Sequence, residues 1–379
     1  MPFFGQVRLT SIFGIPIKLD MSWFIVFVLI AWTLAFSLFP SEYPDLSGVQ
    51  VWIMGIAGSL LLFASVLIHE LCHCYIARHN GISIRGVTLF IFGGVSEMVE
   101  EPPNPRAEFL MAAAGPLASI VIAFWTGLLA FAAHALGMSE VIYGVLKYLA
   151  IINAVLAAFN LIPGFPLDGG RLLRALLWQT TGSLRNATRI ASTVGSVFGV
   201  AFVALGVLAI ISSRDLWITG LWFVLIGFFL RTAALGSYRQ LLLRRALQGV
   251  SVSQVMTTNV VTVPAELPVA QLVHDYFMRN RFHSFPALDG GRLVGLVTLH
   301  EVKHVPREQW DKVPVGQIMN THILSLSVSP DDAAMAAWVR MAAQGVGRVP
   351  VVVNGELVGI LSQHDLVRFL NIMSDLTKD

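Results

Sequence analysis

Residues 51–73 read VWIMGIAGSLLLFASVLIHELCH, and this stretch decides the fold. From 51 to 69 it holds no Asp, Glu, Lys or Arg, and about 20 apolar residues are what a helix needs to cross the hydrocarbon of a bilayer. Its end then departs from that pattern, because His69, Glu70 and His73 follow within five residues. Helical residues four apart lie one above the other, so both imidazoles share a face and the Glu70 carboxylate stands beside the first. Neutral imidazole suits Zn2+, the spacing lets both rings reach one ion, and the adjacent Glu can take a proton from an attacking water. Ionisable groups inside a membrane are costly and mark functional sites by default.

Working outward, the chain has 379 residues, of which 55% are hydrophobic and 13% charged, with a mean hydropathy of +0.71. Soluble domains carry about 25% charged residues, so an ordinary soluble protein is excluded. A net charge of +2 gives no ground for a nucleic-acid partner. Charge-free segments cover 21–41, 51–69, 109–139, 148–167, 190–213 and 216–230, which predicts six membrane spans, the last completed by snorkelling of Arg231. The first apolar run exceeds the ~7–15 residues of a cleavable signal. With the N-terminus inside, the inner segments hold twelve Lys and Arg, among them Arg78, Arg171 and Arg244, against Lys147 and Arg214 outside. That asymmetry predicts a multi-pass protein of the cell membrane with both termini cytosolic. Cys72 and Cys74, two apart on one helix, diverge by roughly 200° and cannot form a disulfide with each other.

A catalytic zinc site needs a third protein ligand and an open position. His134 falls at the opposite end of a span, roughly 30 Å of hydrocarbon away. His79, six residues beyond His73, is about 120° off the shared face and reads as a membrane-surface residue. Glu97, Glu100 and Glu101 in the loop before Pro102-Pro103 stay in the candidate set, although they read more simply as a solvated loop. Asp168 lies in NLIPGFPLDGGR, residues 160–171, a Pro and Gly run that breaks the fourth span at the depth of the two histidines. Irregular backbone at that depth is tolerated where it is buried in protein or lines a wet cavity. Asp168 is alternatively an N-cap for a helix starting at Gly169 or Gly170.

The His69-Glu70-Leu71-Cys72-His73 motif in one span, with Asn160 and then Leu167-Asp168-Gly169-Gly170 in another, resembles the site-2 protease family of intramembrane zinc metalloproteases. The similarity is to the branch with a C-terminal pair of cystathionine-β-synthase (CBS) domains, akin to the Bacillus sporulation protease. Phe165-Pro166-Leu167 stands before the Asp where other branches carry Asn-Pro. The resemblance implies that His69, His73 and Asp168 hold one catalytic Zn2+, that Glu70 is the general base, and that Asn160 contacts the substrate or steadies the developing oxyanion. It also implies endopeptidase action on a transmembrane protein substrate in regulated intramembrane proteolysis, the substrate being for instance a membrane-tethered transcription regulator or its inhibitor.

Residues 81–97 alternate and contain turn glycines, so they read as a hairpin or re-entrant sheet beside the site, or as a plain cytosolic hairpin. An exposed strand edge there could pair with an extended substrate, because a transmembrane helix hides its peptide bonds until it unwinds.

Charged residues number 26 in 1–249 and 22 in 250–379, so the last third is a water-facing module. It contains a repeat with a constant offset of 64: Ser284-Phe285-Pro286 and Gly295 to Glu301 recur as Arg348-Val349-Pro350 and Gly359 to Asp365. Such units resemble a CBS pair, which implies clefts for ATP or AMP, with Ser362 and Asp365 serving one nucleotide and Thr298 and Glu301, a longer variant, the other. The resemblance also allows a homo-oligomer through the pair. The expected class is therefore mainly α, a polytopic membrane protein with six spans plus a cytosolic α/β tandem module. Its parts are a protease domain at 1–236, a basic linker helix on the inner membrane surface at 237–249, and CBS repeats at 250–310 and 311–379. The alternative reading is a CBS-gated transporter or channel whose His and Glu side chains line an ion path.

Overall fold

The computed structural model describes residues 5–91, 93–98, 101–213, 216–280 and 282–376. Arg214 and Glu100 lie outside the described residues, as does the side chain of Glu97. The chain divides into two compact units, Met1–Arg239 and Gln240–Asp379.

The first unit begins with a hairpin, β1 (Gln6–Ile12) and β2 (Ile15–Asp20), that the hydropathy pattern leaves unread. Among the described residues, six helices long and apolar enough to cross a membrane follow: α1 (Met21–Glu42), α2 (Gly48–His79), α3 (Pro105–Ala135), α4 (Glu140–Asn160), α6 (Leu184–Ser212) and α7 (Trp217–Ala246). A shorter helix, α5 (Asp168–Thr181), stands between the fourth and fifth of these. Their starts follow local chemistry. Asp20 accepts from the Ser22 amide, Ser47 and Gln50 form a capping box, and Asn104 caps α3 ahead of Pro105. Large apolar side chains such as Phe124, Phe131, Leu208 and Phe228 stand exposed on the helices, as contact with lipid requires.

The fourth span differs from its expected limits of 148–167. Charge counting truncates it at Lys147, yet the helix runs through that residue, whose ammonium bonds to Glu42 at 2.8 Å. The Gly and Pro run lies wholly beyond the helix rather than inside it. In the fifth and sixth spans, glycines seven apart let two backbones meet. A Cβ on Gly206 would stand 2.5 Å from the Gly220 carbonyl oxygen, and one on Gly199 2.7 Å from that of Gly227. The basic stretch after Ser237 continues α7 unbroken as far as Ala246.

Strands β3 (Ile84–Phe90) and β4 (Gly93–Met98) form an antiparallel hairpin, and they complete a four-stranded sheet in the order β1-β2-β3-β4. The β2–β3 pairing is parallel, with Ile17, Lys18 and Leu19 opposite Val87, Thr88 and Leu89. Ile15, Leu19, Val87 and Leu89 pack on Cys74, Leu67 and Leu71 of α2. The sheet therefore covers the end of α2 that carries His69 and His73, and β4 is one of its two edges.

In the second unit, β5 (Val263–Pro264) pairs in parallel with β6 (Ser284–Asp289), while β6 with β7 (Arg292–Thr298) and β8 (Arg348–Val353) with β9 (Glu356–Ser362) are antiparallel pairs offset by 64 residues, down to the bulges after Ala287 and Val351. Their turns, Gly290-Gly291 and Asn354-Gly355, both have positive φ, as two-residue hairpins of this twist demand. The lead segments are exchanged. Thr257 bonds to Ile360 of the second repeat, and Asn320 to Leu296 of the first. Val252 and Val255 accordingly lie in a core with Val349 and Leu361, and Val315 in one with Phe285 and Val297.

Candidate metal centre

The i, i+4 pair on α2 points at α3 and at the first residue of α5. His69 Nε2 and Asp168 Oδ2 stand 3.1 Å apart, His73 Nε2 and Asp168 Oδ2 3.2 Å, and the two Nε2 atoms 3.1 Å. Among the described residues, these three form the one group of metal-type ligands. The histidines are 4% and 7% exposed, so the cluster is nearly dry.

The opposite ring nitrogens fix which atoms face inward. His73 Nδ1 lies 2.7 Å from the Met111 carbonyl oxygen, which can only accept, so Nδ1 carries the hydrogen and Nε2 a lone pair. His69 Nδ1 lies 2.9 Å from Ser119 Oγ, which leaves its Nε2 able to face inward in the same form. Two imidazole lone pairs and a carboxylate oxygen thus converge, an arrangement that repels unless a cation stands among them. Four ligands about 2.0–2.1 Å from one zinc lie roughly 3.3 Å from each other, close to the separations here. The donor set fits zinc.

Sequence reasoning missed what makes room for this cluster. A Cβ on Gly115 of α3 would come 2.2 Å from His73 Nε2 and 2.5 Å from His69 Nε2, so only glycine fits. Met111, Gly115 and Ser119 recur every four residues along one face of α3 and together cradle both rings. Beside them, Glu70 accepts a hydrogen bond from Ser96 of β4 at 2.7 Å, and Gly94 leaves the space for its side chain. Among the described residues its other oxygen, Oε1, has no hydrogen bond.

Asp168 is the first residue of α5, and its carboxylate turns to the histidines rather than capping the helix. Gly169 and Gly170 let this helix start hard against the loop: a Cβ on either would come within 2.3 Å of loop backbone atoms. Arg174, one and a half turns on, is buried between the Glu108 carboxylate of α3 and the Phe165 ring, 5.1 Å from its centroid, with Glu101 at 3.4 Å. Glu101 is thus engaged away from the cluster, while His79 and His134 are exposed elsewhere. Asn160 ends α4, half-buried, and its side chain makes no hydrogen bond among the described residues.

In the second unit a cleft of about 740 Å3 is lined by Thr257, His283, Arg348, Ser362 and Asp365, among others. A second, of about 490 Å3, is lined by His283, Thr298, His300, Asn320 and Arg348. Asp365 Oδ2 accepts from the Ser362 amide at 2.9 Å and Oδ1 from Thr257 at 3.2 Å. Glu301 likewise accepts from the Thr298 amide and hydroxyl, but unlike Asp365 it does not line its cleft.

Two family descriptions match this chain: Peptidase family M50 at residues 57–137 and 126–202, and CBS domain at 252–308 and 315–372. The Synechocystis sp. protein sll0528, which bears a zinc metalloprotease name, is 33% identical over 97% of this chain and 96% of its own length. Rip3 of Mycobacterium tuberculosis, named in the same way, is 31% identical over 97% of this chain and 93% of its own. A solved site-2 protease from Methanocaldococcus jannaschii is 27% identical and covers 62% of this chain and 95% of its own, with a TM-score of 0.42. The chain belongs to peptidase family M50, the site-2 protease family, and carries a C-terminal CBS domain pair.

Proposed function

We propose that this metallopeptidase is a zinc-dependent intramembrane endopeptidase that cleaves transmembrane protein substrates, with His69, His73 and Asp168 as zinc ligands and Glu70 as general base. The carrying observation is the convergence of three inward lone-pair atoms within 3.2 Å, the two imidazoles each held from behind by its own hydrogen-bond partner. When bound, the zinc supplies a Lewis acid that makes water nucleophilic at neutral pH. Glu70, steadied by Ser96 at one oxygen, takes the proton of the attacking water at the other and returns it to the leaving amine. Met111 and Ser119 keep the imidazoles in the tautomer and orientation that present Nε2 inward. Asn160 is the nearest amide in sequence to Asp168, and we assign it to the substrate carbonyl as charge develops there.

Edge strand β4 carries Ser96, so its open side runs beside Glu70. An extended, unwound substrate segment adds there as a further strand and brings its peptide bonds to the base. The asymmetry of Lys and Arg supports cytosolic termini. At the CBS pair we assign ATP or AMP as regulator, with Ser362 and Asp365 at the larger cleft and Thr298 at the smaller. Regulation requires the nucleotide to bind two arrangements of the protein with different affinity.

The test is elemental analysis of purified protein together with cleavage of a transmembrane substrate. Wild type holds one zinc per chain, Glu70→Gln holds it without cleaving, and Asp168→Ala loses it. Cleavage by Glu70→Gln at the wild-type rate sinks the mechanism.

A further inference from the structure

The two repeats are alike along their strands but differ in charge where they meet. Ser284 and Arg348 occupy equivalent positions, 64 residues apart, at the start of β6 and β8. They also touch, with Arg348 Nη1 donating to Ser284 Oγ at 2.5 Å. A residue and its repeat counterpart come together only near the axis that relates the repeats, so Arg348 sits where the two halves are equally close. It lines both clefts, and among the described lining residues it is the one Lys or Arg in either.

Arg348 is half-buried, yet no carboxylate stands within ion-pair distance of it among the described residues, and its hydrogen-bond partner is a neutral hydroxyl. Burial pulls its pKa below the ordinary value, with Asp365 acting in the opposite direction. A guanidinium withdrawn from water without an anion is costly, and its planar fork matches phosphate oxygens better than it matches one serine. The uncompensated charge therefore calls for an anionic ligand.

We propose that Arg348 is the single anion receptor of the CBS pair, shared by both clefts, so that the module holds one phosphate-bearing ligand at a time. This rests on the nucleotide reading above and adds stoichiometry and exclusion to it. A phosphate chain entering either cleft takes the guanidinium from Ser284. A second one in the other cleft then meets the first chain's negative charge with no further Lys or Arg among the described lining residues to offset it. Two clefts of matching fold thus act as one site with two mouths. Neutral adenosine escapes the exclusion, because it does not compete for the receptor.

The experiment is isothermal titration of the full-length protein in detergent micelles with ATP, adenosine and inorganic pyrophosphate. One ATP binds per chain, at least about tenfold more tightly than adenosine, the range expected for charge-assisted hydrogen bonds. Arg348→Ser, which makes the junction symmetric, lowers ATP affinity by about 10- to 100-fold to the adenosine level. Adenosine binding persists in that variant and shows the module still folded, while Arg348→Lys restores part of the ATP preference. Two ATP per wild-type chain at similar affinity, or unchanged ATP binding by Arg348→Ser, overturns the proposal. If pyrophosphate binds through Arg348 but no adenine ligand binds, the receptor stands and the nucleotide reading falls. If adenosine binds as tightly as ATP, the nucleotide reading stands and the receptor falls. If none of the three binds, both fall.

Discussion

Replacing Gly115 by Ala should empty the metal centre although it changes none of the ligand residues. The added methyl carbon would stand 2.2 Å from His73 Nε2, and Cβ atoms essentially never approach another heavy atom within 3.0 Å, so the ring has to retreat by at least 0.8 Å. It cannot do so freely, because its other nitrogen is bonded at 2.7 Å to Met111 on the same helix as Gly115, and His69 is tied likewise to Ser119. Moving the rings away from α3 stretches both bonds, and moving α3 away carries the supports with it. Metal–ligand distances tolerate about 0.2 Å, a quarter of the required shift. Loss of second-sphere support alone costs 10- to 100-fold in metal affinity. A displaced ligand should cost more, so we expect a fall of at least about 100-fold, near 2.7 kcal/mol. The assay is zinc content after equilibration against graded chelator, with helix content followed by circular dichroism. Gly127→Ala is the control on the same helix: its Cβ meets only Ala150 at 3.6 Å, so zinc is retained. Wild-type zinc affinity in Gly115→Ala would refute the packing argument.

Glu70→Gln should lower cleavage on the order of 10²- to 10⁴-fold with zinc content unchanged, the size of a general-base contribution. Asp168→Ala should lose zinc in the chelator titration, since two histidines alone hold it poorly. Glu108→Ala and Arg174→Ala each strand a buried charge beside the loop that presents Asp168, so thermal melts should show about 3–5 kcal/mol of destabilisation, whereas replacing both by apolar residues of similar volume should recover most of it. Asp365→Ala should weaken nucleotide binding more than Glu301→Ala in calorimetry, because only Asp365 lines its cleft.

How much of this was legible in the sequence depended on the range of each signal. His69 and His73 are brought together by one turn of one helix, and six spans are visible as runs without charge, so both could be read directly. Lys147 shows the limit of that reading. By charge counting a single Lys ends a span, yet a partner 105 residues away in sequence, Glu42, keeps it within the helix. Asp168 became a candidate through the loop chemistry around it, but its approach to the histidines depends on where α5 packs. The hairpin at 6–20 carries no long apolar run, and it joins the sheet only because β2 pairs in parallel with a strand some 70 residues later.

The supports of the site were illegible for a further reason. Met111 contributes a backbone carbonyl, which any residue has, and Gly115 contributes the absence of a side chain, which composition counts as merely apolar. Ser119 looks like one more small residue in a span. Each matters because α3 crosses α2 at the height of His69 and His73, and that crossing is a property of the packed helices. The same holds for the CBS pair. The 64-residue offset is plain in the sequence, but that Ser284 and Arg348 meet follows only from the fold of the two halves onto each other. A repeat comparison registers a Ser-to-Arg difference there as divergence. With the pair in contact, it leaves one Lys or Arg among the described lining residues to serve two clefts.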